Sequence, residues 1–250
     1  MTSNLQSVAV TNAQAQSSVV LVCEHASHFI PDEYDGLGLS QDALISHIAW
    51  DPGALTVSQH LCAALDAKLV AGCVSRLIYD CNRPPDAANA MPQQSELTIV
   101  PGNADLSDDE RAHRIARIYT PFRDKLAETL NDTARPVIVT IHSFTPVYKG
   151  QMRHVDIGIL HDTDTALADQ MLAEADAFTD LRVLRNAPYG PEDGVTHTLR
   201  EHGVKFGRRN VMIEVRNDLI ANCDQQNDIA AMLARWLASA VEHLPEGDAV

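Results

Sequence analysis

Apolar runs of strand length, rich in β-branched residues, recur along the chain at 19–23, 69–71, 74–78, 137–141, 157–160, 181–184 and 211–215. Several have no polar residue between the apolar ones, as in Val-Val-Leu-Val-Cys at 19–23, and so read as strands covered on both faces. Stretches with a helical repeat lie between them, over 52–65, 108–130, 165–177, 195–201 and 223–242. This alternation predicts an α/β fold of three layers, a mostly parallel or mixed central sheet flanked by helices. Asp51-Pro52 reads as an N-cap followed by proline at the first helical position, and Asp105 or Ser107 precedes an acidic first turn at 108–110. Pro121 falls inside the second helix and is expected to kink or split it. Residues 84–103 hold no sustained periodicity and read as a long loop of functional type. The Ala/Gln/Ser-rich start reads as a flexible tail over 1–17, leaving 18–250 as one hydrolytic α/β domain.

Length and charge narrow the partners. In 250 residues no apolar run approaches the roughly 20 that span a bilayer, and the polar N-terminus lacks the charged and apolar blocks of a secretion signal. The 34 acidic side chains against 19 basic ones give a net charge of −15, which repels phosphate backbones and anionic lipid, so no nucleic-acid or membrane partner is expected. Five cysteines without a Cys-x-x-Cys pair fit neither a disulfide framework nor a zinc knuckle, and a reducing cytoplasm is the expected setting. Oligomeric state is not encoded in any of these patterns.

Chemistry gathers where the apolar runs end. The run at 19–23 leads into Glu24-His25, that at 137–141 into His142-Ser143, and that at 211–215 contains Glu214 and continues to Arg216. The hairpin-like stretch 74–82 carries Arg76, Asp80 and Asn82, with Arg83 next. In open α/β sheets ligands bind beyond the carboxyl ends of the strands, where these residues would converge. His25 and His142 suit a divalent metal as neutral imidazoles, with a carboxylate from Asp51 or Glu24, or a third imidazole from His28, completing the set. Glu214, embedded in an apolar strand, must be paired, metal-bound or protonated, and beside a metal it suits a general base. Arg76, Asn82, Arg83 and Arg216 suit recognition of a small anion, with Asp80 orienting one of the arginines. A metal-free hydrolase using Cys23 or Ser143 as nucleophile and a non-catalytic binder of a small dicarboxylate are the rival readings.

Five strings, at 22–31, 47–54, 75–84, 141–144 and 213–218, taken together and in this order, resemble the N-formylglutamate amidohydrolase family. The resemblance implies a zinc-exopeptidase-like fold, related to zinc carboxypeptidases and aspartoacylases, and hydrolysis of a small anionic N-acyl, and first N-formyl, amino acid. It further implies Zn2+ or another divalent metal on His25 and His142, a substrate carboxylate gripped by Asn82 and Arg83, and Glu214 as the catalytic carboxylate. Arg76 would polarise the scissile carbonyl or hold an anionic group, and Arg216 and Ser143 complete the expected substrate site. Two departures stand out. The related carboxypeptidases use His-x-x-Glu, but the third residue after His25 is His28, and Asp51 becomes the preferred second ligand. Many members read Pro-His-Ser-Gly or similar where this chain reads Glu24-His25-Ala26-Ser27, so the acyl group or amino acid can differ.

Overall fold

The computed structural model describes residues 5–244. Its centre is a seven-stranded sheet of β1 (Val8–Thr11), β2 (Val19–Cys23), β3 (Lys68–Gly72), β6 (Val137–Phe144), β9 (Ile157–Leu160), β10 (Val183–Arg185) and β11 (Asn210–Arg216). Across the sheet the order is β1-β3-β2-β6-β11-β9-β10. β3, β2, β6 and β11 run parallel, while β1 and the β9–β10 pair join them antiparallel, so the sheet is mixed. Two hairpins lie outside it, β4 (Gln94–Ser95) with β5 (Thr98–Ile99) and β7 (Val147–Tyr148) with β8 (Gln151–Met152). The helices are α1 (Gln41–Ile45), α2 (Ala54–Ala64), α3 (Asp108–Arg114), α4 (Thr120–Asn131), α5 (Ala166–Phe178) and α6 (Cys223–Glu242).

Residue parity sorts the central strands into two cores. Val19, Leu21, Cys23, Val139, Ile141, Val211 and Ile213 pack with α2, α5 and α6 on one face. Val20, Val22, Ile138 and Met212 pack on the other, against α4, the preceding turn and loop residues such as Leu77, Met91 and Val100. Two buried faces explain the unbroken apolar runs and confirm the three-layer expectation. Among the described residues no helix is long and apolar enough to cross a membrane.

Four local expectations are corrected. Residues 8–11, placed in the flexible tail, form an edge strand instead, because each pairs with a partner in 69–72. The apolar run 74–78 is a series of turns, not a strand. Its side chains are buried as expected, but Ser75 Oγ donates to the Ala49 carbonyl and tightens the turn. The second helix is divided as expected: Ile115–Tyr119 is a π segment between α3 and α4, in which Thr120 N–H reaches the Ile115 carbonyl, and Pro121 falls in the first turn of α4. Asp51 is not the N-cap of α2; Gly53 is, at φ +84, leaving the Asp51 side chain free to face elsewhere. Residues 84–103 carry the β4–β5 hairpin rather than plain loop, while Ser107 forms the expected capping box with Glu110.

Candidate active site

The strand parity that fills the second core continues past it. On that face, β2, β6 and β11 reach their carboxyl ends at Glu24, His142 and Glu214, side by side: Glu214 is in register with His142, and Val22 with Thr140. Glu24 therefore follows two residues on, its Oε2 3.2 Å from His142 Nε2, off line for a hydrogen bond. Gly72 stands next to Glu24 on β3, where a Cβ would lie 2.2 Å from the Glu24 carbonyl oxygen. Only glycine lets the backbones approach this closely.

Asp51 reaches the same point from the turn before α2, its N–H bound to the His25 carbonyl at 3.0 Å. Its Oδ2 lies 3.2 Å from His25 Nδ1 and 2.9 Å from His142 Nδ1, and the two Nδ1 atoms are 3.2 Å apart. Bonds of about 2.0–2.1 Å to one tetrahedral ion put ligand atoms about 3.3 Å apart, so this triangle has the dimensions of one face of a zinc site. The remaining imidazole nitrogens agree with it. His25 Nε2 is 2.7 Å from Asp80 Oδ1, and His142 Nε2 faces Glu24. The Asp80 carboxylate fixes the His25 proton on Nε2 and turns its Nδ1 lone pair toward the common point, and the Glu24 charge beside His142 Nε2 favours the same tautomer there.

Charge gives a second, independent measure of fit. Burial opposes ionisation of Glu24, Asp51 and Asp80, yet His142 for the first, and His25 for the other two, hold their carboxyls below the ordinary range. Arg76 is the guanidinium among them, bridging Asp51 Oδ1 at 3.3 Å and Asp80 Oδ2 at 2.9 Å. With both imidazoles protonated, their two charges and that of Arg76 balance the three buried carboxylates, and a divalent cation would take the place of the two imidazole protons. Burial lowers both imidazole pKa values, but the carboxylates around them outweigh it and raise them, so protons and a cation compete for the same nitrogens. Glu214 is different. Burial pushes its carboxyl up to about 7, and its Oε2 is without a partner among the described residues.

These groups floor a cavity of about 350 Å³. His25, Asp51, His142, Glu214, Arg76, Asn82, Arg83 and Ser143 all line it, as expected from the sequence. Arg216 does not: its guanidinium binds Asp156 Oδ1 at 2.5 Å and Asp218 Oδ1 at 2.7 Å, away from the cavity, which corrects its expected place in the substrate site. Asn82 lines the cavity with its amide already engaged, donating to the Val195 carbonyl at 2.5 Å and accepting the Thr198 N–H at 3.0 Å. Arg83 donates to the carbonyls of Asn82 and Gly194, and its buried Nε has no partner among the described residues. Ser143 Oγ donates to the Pro52 carbonyl at 2.8 Å. His28 is exposed, tilted against Trp50 with ring centroids 4.9 Å apart, outside the cluster. Cys23 points into the opposite core, and burial raises its thiol well above the usual range, which leaves no thiolate for a nucleophile.

The rim comes in part from the segment that reads as a functional loop, although its individual residues are not marked in the sequence. The 84–103 segment contributes Asn89, Pro92 and the hairpin residues Gln94, Ser95 and Glu96, the last 3.1 Å from His47 Nε2. Phe144, Tyr148 and Tyr189 line the other side. Loop residues of this kind have no periodicity to reveal them, and only Glu24 and Asp80 carried a signal, as acids next to strand-end histidine and arginine.

The family model described as N-formylglutamate amidohydrolase matches residues 17–221. A solved structure of the Agrobacterium tumefaciens gene product Atu2144 is 53% identical, with 96% of each chain covered and a TM-score of 0.93. An N-formylglutamate amidohydrolase from Ralstonia eutropha JMP134 shares the fold at a TM-score of 0.63 and 19% identity, over 96% of this chain and 100% of that one. No curated protein sequence matches.

Proposed function

The chain belongs to the N-formylglutamate amidohydrolase family, and from that premise we propose that it hydrolyses the amide of a small anionic N-acyl amino acid with the help of a divalent cation. N-formylglutamate is the first candidate substrate, giving formate and free glutamate, and zinc the first candidate metal. His25 and His142 through Nδ1, and Asp51 through Oδ2, would hold the cation. The observation that carries the reading is their mutual spacing of 2.9–3.2 Å, each imidazole backed by a second carboxylate. Bound there, the cation supplies Lewis acidity, polarising a carbonyl and bringing the pKa of water from about 15.7 toward about 7.

The chain's own groups divide the remaining work. Glu214 Oε2, unpartnered and beside His142, takes a proton from the attacking water and returns it to the amide nitrogen as the C–N bond breaks. Arg76, held by Asp51 and Asp80, keeps N–H groups for the scissile carbonyl or an anionic substituent. Arg83, at the cavity wall, grips a substrate carboxylate through its guanidinium, with Asn82 anchoring the loop beneath it. Ser143 supports the floor, its N–H 3.4 Å from Asp51 Oδ2.

Elemental analysis of freshly purified protein, paired with an assay for free amine across N-formyl and N-acetyl amino acids, tests both halves. Near one equivalent of zinc and formyl-selective release of an acidic amino acid are expected. Full turnover after exhaustive chelation, or thermal stabilisation by glutamate with neither metal nor turnover, would overturn it.

A further inference from the structure

Arg153, which stands in no sequence pattern, has an unusual setting beside the cavity. Its guanidinium carbon lies 4.6 Å from the Tyr148 ring centroid, 4.7 Å from that of Tyr189 and 5.5 Å from that of Phe144. All three rings line the cavity. Among the described residues no carboxylate pairs with this cation, which is held by π faces instead. Its Nη1 donates to the Thr145 carbonyl at 3.4 Å and its Nη2 to Tyr189 Oη at 2.8 Å.

The second of these bonds decides the chemistry. A guanidinium donates only, so Tyr189 Oη is the acceptor and the phenol's own proton must point elsewhere. Among the described residues no acceptor takes it. Tyr189 lines the same cavity as Glu214 and Arg76. Burial, reinforced by Glu214, pushes the phenol up to about 12, so the proton stays on oxygen at neutral pH.

We propose that Tyr189 is a further catalytic residue, whose hydroxyl donates a hydrogen bond to the scissile carbonyl oxygen as negative charge develops there, and that Arg153 is the positioning residue that aims it. No proton leaves the tyrosine; the bond strengthens as the oxygen becomes anionic and relaxes when the carbonyl reforms. This rests on the amide-hydrolysis reading and names an oxyanion donor for it.

Tyr189→Phe removes one oxygen and leaves the ring in the aromatic cage. In the zinc-loaded protein it should lower kcat about 10²-fold, the effect of deleting one preorganised oxyanion donor, with KM within about threefold. Arg153→Met should lower kcat with KM unchanged, Arg153→Lys should recover part of the loss, and the Tyr189→Phe/Arg153→Met double variant should be no slower than Tyr189→Phe alone. Additive losses, or kcat within twofold of wild type in Tyr189→Phe, overturn the assignment. Formate, the small anion that the reaction releases, supplies a readout without turnover: calorimetry should show its Kd rising about tenfold in Tyr189→Phe, as for loss of a hydrogen bond to a charged group. Should the wild type cleave no N-formyl amino acid, the amidohydrolase reading falls by itself. Formate binding weakened by Tyr189→Phe would then still uphold the donor, whereas binding that is absent or equal in both proteins overturns it.

Discussion

His202 offers a test of the folded structure that does not depend on turnover. It sits in the π segment Leu199–Gly203, 5% exposed, where burial, against the pull of Glu201, lowers its pKa from 6.5 to about 4. The native chain therefore binds fewer protons there than the unfolded chain between these two values, and stability rises with pH across that window. The contribution is fully present above about pH 6.5 and is lost as pH falls toward 4. At about 1.36 kcal/mol per pKa unit the loss is about 2 kcal/mol by pH 5 and about 3 kcal/mol by pH 4, a large share of an ordinary 5–15 kcal/mol. His202→Leu keeps an apolar group of similar size and cannot titrate. Urea unfolding of both proteins in parallel from about pH 7.5 to 5 should show the variant gaining about 2 kcal/mol on the wild type, or about 4–8 °C in Tm. Every other titrating group is common to the two chains. Profiles that stay parallel would refute the reasoning.

Other expectations concern the site. Glu214→Gln should reduce kcat about 10²–10⁴-fold while metal content stays at the wild-type level, since Glu214 is not among the three donor atoms; equal turnover by metal-replete protein would remove Glu214 from the mechanism. Glu214 must be ionised to accept a proton, and burial sets its carboxyl at about 7 before any cation is added, so kcat/KM should climb with pH along an acidic limb at or below about 7 that Glu214→Gln abolishes. Asp80→Asn should weaken zinc about 10–100-fold in competition with a chelator, because His25 loses the acceptor that orients it at 2.7 Å. Gly72→Ala forces a Cβ to within 2.2 Å of the Glu24 carbonyl and should cost about 1–3 kcal/mol in urea unfolding, with weaker metal binding as β2 shifts.

The central strands were legible because both of their faces are buried, so apolar content alone marked 19–23, 137–141, 157–160 and 211–215. His25, His142 and Glu214 were legible for the same reason, as titratable groups attached directly to those runs. Asp51 was harder to read. Its position before Pro52 mimics a helix cap, and only the positive φ of Gly53 shows that the cap lies two residues later. Residues 74–78 misled because a buried turn and a buried strand have the same composition, and length was too short to separate them. Arg216 misled by proximity to Glu214: Asp156 and Asp218, one of them 60 residues away, draw its side chain off. Arg153 and Tyr189 meet only through the packing of separate loops, and no local spacing announces such a pair.

The odd-even sorting of β2, β6 and β11 has a bearing on how such a protein can change. One residue deleted upstream of His142 within β6 would exchange the two sides of the strand, sending Ser143 to the imidazole's place and the imidazole to that of Ile141, among the aliphatic neighbours of α2 and α6. Length variation is thus barred from the sheet and confined to the two hairpins and the 186–196 segment overhead. New substrates can be accommodated by rewriting that canopy, while the reacting floor beneath it is inherited as a single indivisible frame.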